Sequence, residues 1–556
     1  MKKNDNNIHP LGTRARILLS SVFGPYARDD EYGSRAINPM ELYHNQVTRV
    51  QGPFSLRMFH RSFGLMLIQE NVDAPCTLLD FPTLERFAEE IKTKAYDIIG
   101  ISSIIPNVGK VKKMCEIIRK HAADVKIVVG GHIANLPDLH KIIDADFIVK
   151  GEGISWFRKY LGQDTKAPVK HPAVISGFGN RIFGIRLPGK DTAATLIPSV
   201  GCPMGCNFCS TSHLFGGKGK SVNFYETGDE LFNVILQIES KLNVQRFFIM
   251  DENFLLYKQR ALRLLELIEK HKKSWSFYIF SSAKVISSYS DEQLLGLGVS
   301  WIWMGLEGKG SQYTKLKEID TRSLVKHLQS IGIGVLGSSI IGLENHTPEN
   351  IESVIDYAVS HGTDFHQFML YTPIPGTALY EEHKKKKTLL PEKECPLPDT
   401  HGQYRFNFKH KYIKNKQEIQ YLLQAFQKDF ETNGPSIARL IRTLLNAWKQ
   451  HKDHADMRVR SRILWETRRL RDVYPGAVWA MRKYYKKNKY MYDKLSEILR
   501  DIYKEFGIIV RIIAPAVGMW VYFKIAKEAH RLSCGWTYEP ETHYEKNEKA
   551  LAMEGQ

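Results

Sequence analysis

The chain has 556 residues, enough for roughly two to four domains, and its 43% hydrophobic and 25% charged residues are typical of a soluble globular protein. Its seven cysteines are scattered and odd in number, which argues against a disulfide framework and favours a reducing compartment. The net charge of +18 predicts attraction to an anion, which nucleic acid, an acidic substrate or a membrane surface would each supply. The polar N-terminus lacks the apolar core of a signal peptide, so we expect a cytoplasmic protein.

Residues 1–165 alternate short apolar segments with segments of helical spacing, which predicts an α/β domain with a doubly wound, Rossmann-type parallel sheet. Ligands of such sheets bind beyond the carboxyl ends of the strands, where Ser102, Gly130, Gly131 and Gly151 fall. The pattern also fits any nucleotide-binding domain or a scaffold without a ligand. The predicted strands are 15–22, 77–80, 97–102, 126–130 and 146–149, and the predicted helices are 84–94 and 108–122.

A second alternating pattern follows a connector at residues 166–193 and runs from 194 to 385. Six predicted strands with five crossovers indicate a partial β/α barrel. The strands are predicted at 194–199, 246–250, 276–281, 301–306, 334–341 and 366–371, with helices such as 259–270 and 323–330 between them.

Cys202, Cys206 and Cys209 stand in a C-x3-C-x2-C spacing directly after the first barrel strand. Three thiolates so close together suit a metal cluster better than a disulfide framework. A [4Fe–4S] cluster normally takes four thiolates, so three leave one iron open to a non-protein ligand. A structural zinc site, with His213 as the local fourth ligand, and chance clustering are the alternatives.

The order of motifs around this loop resembles that of the cobalamin-binding radical SAM enzymes. A G-x-S turn, VVGGH and D-x-x-V-x-G-E-G precede the cysteines, and DENF, GLEG and PIPGT follow them at βα intervals. The resemblance implies that the N-terminal sheet holds cobalamin at its glycine turns and that residues 194–385 form a radical SAM barrel. The D-x-H-x-x-G loop, whose histidine ligates cobalt in many cobalamin proteins, is absent, and the stretch at residues 24–28 takes its place.

The resemblance also assigns roles around the cysteines, which would hold a [4Fe–4S] cluster whose open iron binds S-adenosylmethionine (SAM). Phe208 would lie against the adenine, and Glu307 would bind the ribose hydroxyls. Asp251, Glu252 and Ser282 follow barrel strands and would face the same cofactor. Phe208 could instead be a core residue of the loop, and either carboxylate of the DENF motif could cap the next helix.

Residues 386–556 are predicted to form a mostly α-helical, basic and aromatic region. Residues 441–500 contain 16 Lys and Arg against 6 Asp and Glu, a net of +10. Residues 506–523 are apolar except for Arg511, close to the ~20 residues of a membrane span, but Pro515 and Gly518 argue against spanning. They predict either a segment on a membrane surface or a buried helix packed on the barrel.

Nucleic acid is not favoured as a partner of this basic region, because no RNA-binding module is recognisable. The tail after Cys534 is expected to be irregular.

Three functions follow from the resemblance. The first is a cobalamin-dependent methyltransferase: one SAM yields a 5′-deoxyadenosyl radical that takes hydrogen from an unactivated carbon, and a second SAM supplies the methyl group through cobalamin. Its substrate would be a small molecule or lipid, hydrophobic and isoprenoid-like, and its electron donor a flavodoxin or ferredoxin. The second keeps the radical but performs a cyclisation, C–C coupling or oxidation. The third is a non-catalytic iron–sulfur sensor or partner protein.

Overall fold

A computed structural model of the protein describes residues 8–24, 31–34, 46–58, 60–177, 181–182, 185–186, 192–308, 316, 318–535 and 540–554. The stretch at residues 24–28, which replaces the D-x-H-x-x-G loop, lies outside these residues except for Gly24.

The N-terminal residues form the predicted parallel sheet, with strand order β2-β1-β3-β4-β5. This order places a topological switch point between β1 and β3, where doubly wound sheets bind ligands. Helices cover both faces, as expected. The strands are β1 Ile17–Ser20, β2 Cys76–Asp80, β3 Ile98–Ser102, β4 Lys126–Gly130 and β5 Phe147–Ile148; the helices are α1 Phe63–Glu70, α2 Leu84–Thr93, α3 Val108–His121 and α4 Gly153–Tyr160.

Alternation along the strands separates the two cores of this sheet. Leu18 and Ile99 point to the face that α2 and α3 cover, while Ile17 and Leu19 point to the face that α1 and α4 cover. Both faces are apolar because β1, β2 and β3 are buried on both sides, as is usual for parallel sheets.

The connector contains a short hairpin and is tied to the barrel by side chains. Its strands are β6 Arg181–Ile182 and β7 Ile185–Arg186. The Nε2 atom of His171 accepts a hydrogen bond from the Ile197 backbone N–H (2.9 Å), and the Tyr225 hydroxyl donates to the Val169 carbonyl (3.1 Å).

The central residues form six parallel strands in the order β8-β11-β12-β13-β14-β15, which leaves β8 and β15 as edges and confirms the partial barrel. The strand predicted at 194–199 is two strands, because Pro198 lacks an N–H and interrupts the ladder. The second of these pairs antiparallel with β10. The strands are β8 Ala194–Leu196, β9 Ser199–Val200, β10 Val222–Asn223, β11 Arg246–Ile249, β12 Ser276–Phe280, β13 Val299–Glu307, β14 Gly334–Ile341 and β15 Phe365–Leu370.

Helices lie between and after the barrel strands. Those of the barrel are α5 Ser210–Leu214, α6 Gly228–Leu242, α7 Lys258–Lys270, α8 Ala283–Ile286, α9 Asp291–Leu297, α10 Thr321–Ser330, α11 Ile351–Val359 and α12 Ala378–Lys385. The C-terminal region is helical, as predicted. Its helices are α13 Gln417–Asn433, α14 Ser436–His451, α15 Met457–Glu466, α16 Val473–Tyr484 and α17 Lys489–Ser533, the last interrupted at Gly507, whose φ is 78°.

The expectation of an irregular tail is wrong. Residues His543–Lys546 form β16, which pairs antiparallel with β2 at the edge of the N-terminal sheet, and α18 follows at Glu548–Glu554. The tail is bound by polar contacts: Arg61 bridges Asp80 (2.9 Å) and Glu545 (3.0 Å). Because β16 is held by backbone pairing and polar contacts, its sequence contains no run of apolar residues. The hydrophobic pattern therefore gave no sign of this strand.

Truncation after residue 539 should expose the edge of β2. Amide hydrogen exchange of residues 76–80 is expected to speed up, because β16 no longer protects that edge. Exchange mass spectrometry measures this, and β5, at the opposite edge, is the internal control. Unchanged protection of β2 would contradict the pairing.

Candidate functional site

Two adjacent cavities lie where the N-terminal sheet meets the barrel. The sheet cavity, of about 540 Å³, lies between β1, β3, β4 and the helices α1 and α4. The barrel cavity, of about 670 Å³, lies at the carboxyl ends of the barrel strands. Among the described residues, His132, Thr211, Glu252 and Phe280 line both cavities. A ligand in one cavity is therefore next to a ligand in the other.

The inner part of the sheet cavity is an apolar slot. Gly100 lets Leu19 and Phe157 pack closely at its wall, because a Cβ atom at this position would lie 2.8 Å from Leu19 Cδ2 and 3.2 Å from Phe157 Cζ. The slot fits a flat aromatic group such as the nucleotide base of cobalamin. Its apolar walls include Leu19, Phe63, Leu67, Ile68, Val128, Ile154 and Phe157.

The mouth of the sheet cavity brings together the four residues predicted there, Ser102, Gly130, Gly131 and Gly151. Gly131 has a φ of 82°, and a Cβ atom there would lie 2.6 Å from the Ser103 carbonyl oxygen. A side chain is thus excluded at this turn, which lets a ligand reach the backbone. Their role in holding cobalamin stays a prediction that this arrangement fits.

The three cysteines line the barrel cavity on a loop that requires glycine. Gly205 has a φ of 64°, and a Cβ atom there would lie 2.5 Å from Lys218 Cα. Cys209 begins α5, with its sulfur accepting the Ser212 N–H (3.4 Å), while the Ser212 hydroxyl donates to the Cys202 carbonyl (2.6 Å). These bonds hold the first and last cysteines to the same short helix.

The thiols are half-buried and form no disulfide. Burial, followed by the neighbouring thiols, raises the pKa of Cys202 to about 11, so a metal's positive charge is needed to hold it as thiolate. In the described part of the chain, no three His, Cys, Asp or Glu side chains converge on one metal ion. A [4Fe–4S] cluster does not require this, because each thiolate binds a different iron.

His213, the possible zinc ligand, has another role. Its Nδ1 donates to the Cys209 carbonyl (2.9 Å), and its Nε2 accepts from the Ala378 N–H at the start of α12 (3.2 Å). With both ring nitrogens hydrogen-bonded, the imidazole joins the cysteine loop to the PIPGT segment and has no nitrogen left for a metal.

Asp251 and Glu252 are neighbours in the chain with different surroundings. The Asp251 carboxylate is buried and accepts from Arg260 Nη2 (2.6 Å), the Ser199 hydroxyl (2.7 Å) and the Asn253 N–H (3.1 Å). Asp251 lines neither cavity, so the structure does not support contact with SAM. It ties the end of β11 to β9, at the base of the cysteine loop.

Glu252 lies at the junction of the two cavities. Its Oε2 atom is buried and has no hydrogen-bond partner among the described protein atoms. Burial raises the pKa of this carboxyl to about 7. A polar ligand group at the junction would satisfy the oxygen, since buried polar atoms are normally paired.

Ser282 and Glu307 also line the barrel cavity. Asn253, which sequence reasoning did not single out although it belongs to DENF, holds Ser282: its Oδ1 accepts from the Ser282 N–H (3.1 Å), and its Nδ2 donates to the Ser282 hydroxyl (3.3 Å). Glu307 is buried, with a left-handed φ of 54° after a bulge in β13. A bulge at a strand end turns a side chain towards a site.

Phe208 lines the barrel cavity and also contacts Tyr371 edge-on, with ring centroids 6.4 Å apart. The ligand-contact and loop-core interpretations are therefore compatible. Sequence reasoning assigned no role to several lining residues, some in irregular segments whose sequence carries no signal. They include Asn135, Trp303, Gln367, Thr400, His401 and Gly402.

Comparisons with known proteins found one family model, curated relatives and solved structures that are similar to this chain. The family described as B12 binding domain matches residues 59–161, which include most of the sheet-cavity lining. An uncharacterized methyltransferase of Pyrococcus horikoshii is 25% identical over 54% of this chain and 72% of its own length. The bacteriochlorophyllide d C-12(1)-methyltransferase of Chlorobaculum tepidum is 25% identical over 56% of this chain and 70% of its own. The radical S-adenosylmethionine methyltransferase TsrM of Kitasatospora setae, solved with cobalamin and a [4Fe–4S] cluster, has a TM-score of 0.48 and 14% identity, and covers 82% of this chain and 99% of its own.

Gly205→Ala should prevent assembly of the cysteine loop. Both Gly205 and Gly219 have left-handed backbones, but a Cβ atom at Gly219 meets nothing within 4 Å. Gly219→Ala therefore loses only the free energy of placing an alanine in a left-handed backbone conformation, about 1–2 kcal/mol, and is the matched control. We expect iron and sulfide per chain, after anaerobic reconstitution, to fall for Gly205→Ala only. Equal values in the two variants would contradict the steric argument.

Proposed function

We propose that the chain is a radical SAM enzyme with a B12-binding domain and that it transfers a methyl group to an unactivated carbon of a hydrophobic, lipid- or isoprenoid-like molecule. The observation that carries the proposal is the junction at Glu252. It makes the cysteine-bearing barrel cavity continuous with the glycine-lined sheet cavity, so that two cofactors and a substrate can meet.

Each cavity holds the groups that one cofactor requires. Cys202, Cys206 and Cys209 would hold a [4Fe–4S] cluster whose open iron binds SAM. Glu307 would bind the ribose hydroxyls of SAM, and the apolar slot with its glycine turns would hold cobalamin. When bound, the cluster supplies the electron that cleaves SAM, and cobalamin supplies the methyl group.

The protein's own side chains prepare the junction. Phe280 and Thr211 line both cavities beside Glu252. With a pKa of about 7, the Glu252 carboxyl can donate or accept a hydrogen bond near neutral pH and so orient polar groups on either side. The Asp251–Arg260 pair keeps the strand end that carries Glu252 in place.

The charge of the site supports an apolar substrate. Within the described part of the chain, no lysine or arginine lines either cavity, so neither offers a cation to a phosphate or carboxylate. The barrel cavity also has apolar and aromatic lining residues. They include Ile104, Ile105, Pro106, Trp303, Met369 and Ile374.

Cleavage of SAM consumes one electron, and a flavodoxin or ferredoxin is the donor that we propose. We place the reaction in the cytoplasm beside a membrane surface, from which a hydrophobic substrate would be drawn. The scattered free thiols fit a reducing compartment.

The test uses the reconstituted protein with SAM, cobalamin and dithionite under anaerobic conditions. Wild-type protein is expected to form both 5′-deoxyadenosine and S-adenosylhomocysteine. Replacing any of the three loop cysteines with Ala should abolish the brown absorbance and 5′-deoxyadenosine formation, whereas Cys534→Ala, at an exposed site outside both cavities, should preserve both.

Two outcomes would overturn the proposal. Formation of 5′-deoxyadenosine without S-adenosylhomocysteine would reject methyl transfer and favour a cyclisation, C–C coupling or oxidation. Cluster-loaded protein that forms neither product would favour a sensor or partner protein.

Glu307→Gln should weaken SAM binding about tenfold or more, because a hydrogen bond to a charged group is worth roughly 1.5–3 kcal/mol. Anaerobic calorimetry of SAM binding measures the dissociation constant. Iron content should not change, since Glu307 is not a cluster ligand. The matched control is Glu349→Gln, at an exposed position. Unaltered SAM affinity in Glu307→Gln would remove Glu307 from the site.

A further inference from the structure

The half of α17 that follows Gly507 carries an apolar face that the described part of the chain does not cover. Ile508 is 72% exposed, Ile512 69%, Phe523 65% and Trp520 52%. An exposed apolar patch of this kind marks an interaction site. We call this surface the outer face; its residues are Ile508, Ile509, Ile512, Ile513, Met519, Trp520 and Phe523.

Helical geometry gathers these residues on one side. At 3.6 residues per turn they occupy an arc of about 140°, from Ile508 at one edge to Ile513 at the other. The opposite arc is buried in the C-terminal core and contains Val510, Ala514, Gly518, Val521 and Ile525.

Close packing on α16 fixes this orientation. A Cβ atom at Gly518 would lie 2.5 Å from Trp479 Cε3 and 3.0 Å from the Gly476 carbonyl oxygen. Gly476 in turn has no room for a Cβ atom beside Val517. Contact at this distance means that the helix cannot rotate to bury its outer face without leaving α16.

The helix has the length and apolar composition of a membrane span. A spanning helix would expose its whole circumference to lipid or to other spanning helices. Here one side packs on α16 in the apolar C-terminal core, so the helix is suited to lie on a bilayer and not to cross it. The alternative expectation, a buried helix packed on the barrel, is not met either, because the outer face is exposed and the opposite side packs on α16.

Charge identifies the occupant. Arg511 and Lys524 flank the two edges of the outer face and Lys527 follows at its C-terminal end, all three exposed. Residues 506–527 contain no Asp or Glu, and Glu528 is buried. A second copy of the chain would bring these like charges together, which disfavours self-association. Anionic lipid headgroups complement them instead.

We propose that the outer face docks on an anionic lipid bilayer, with its apolar side chains among the upper acyl chains and Arg511, Lys524 and Lys527 at the level of the phosphates. Basic, amphipathic helices with aromatic residues on the apolar side bind membranes in this way. The net charge of +18 supports the approach, since neither cavity uses a cation. Docking does not depend on the proposed methyl transfer, because it requires neither SAM nor substrate.

The test is flotation of the full-length, cluster-loaded protein with vesicles of phosphatidylglycerol and phosphatidylcholine. We expect binding to these vesicles and about tenfold weaker binding to phosphatidylcholine alone. Trp520→Glu with Phe523→Glu should weaken binding at least about tenfold. Met457→Glu, which changes another exposed apolar residue on α15, is the matched control and should bind as wild type.

A charge variant tests the second half of the proposal. Lys524→Gln with Lys527→Gln should reduce binding to the anionic vesicles, and Lys92→Gln with Lys94→Gln, on the N-terminal domain, should not. Thermal melting and iron content confirm that each variant is folded. The proposal fails if wild type does not bind, if the double Glu variant binds as well as wild type, or if wild type is a dimer that this variant makes monomeric.

Discussion

The buried ion pair between Asp251 and Arg260 joins the chain segments on either side of Glu252 at the junction. Removing two charges from water is costly, and the structure offsets this by giving the carboxylate two further donors, Ser199 and Asn253. Ser199 begins the segment that carries the cysteines, and Asn253 holds Ser282 after β12. One internal carboxylate therefore sets the relative positions of the cysteine loop, the third strand end and Glu252.

A second constraint is the separation of charge from the site. The chain has 78 Lys and Arg against 60 Asp and Glu, yet none of the described lysines and arginines lines the sheet cavity or the barrel cavity. Residues 441–500, in the C-terminal helices, carry +10 of the net charge of +18. Different surfaces therefore attract partners and bind the reactants. The basic helices attract anionic partners over long range, and the two cavities favour apolar and neutral groups.

Spacing within the sequence was sufficient for features that depend on local geometry. Each motif lies within a few residues of a strand end, so a predicted strand indicates where its motif should be. This holds for the C-x3-C-x2-C loop, the glycine turns after parallel strands and the barrel motifs. The same reasoning failed at His543–Lys546, whose strand exists because β2 presents an open edge, and at residues 194–199, where Pro198 divides one predicted strand into two.

The sequence by itself determined the two α/β sheets, the cluster-type cysteine loop and the family resemblance, because strand alternation and thiol spacing are local properties. It could not separate Asp251 from Glu252, since both follow the same strand and only Arg260 and Ser199, brought close by the fold, take one of them out of the site. Nor could it distinguish a buried helix from an exposed one at residues 506–523, because an apolar composition is common to both. Only the tertiary structure distinguishes the two. Gly476 and Gly518 let α16 pack closely on one side of the helix, and the outer face on the other side stays exposed.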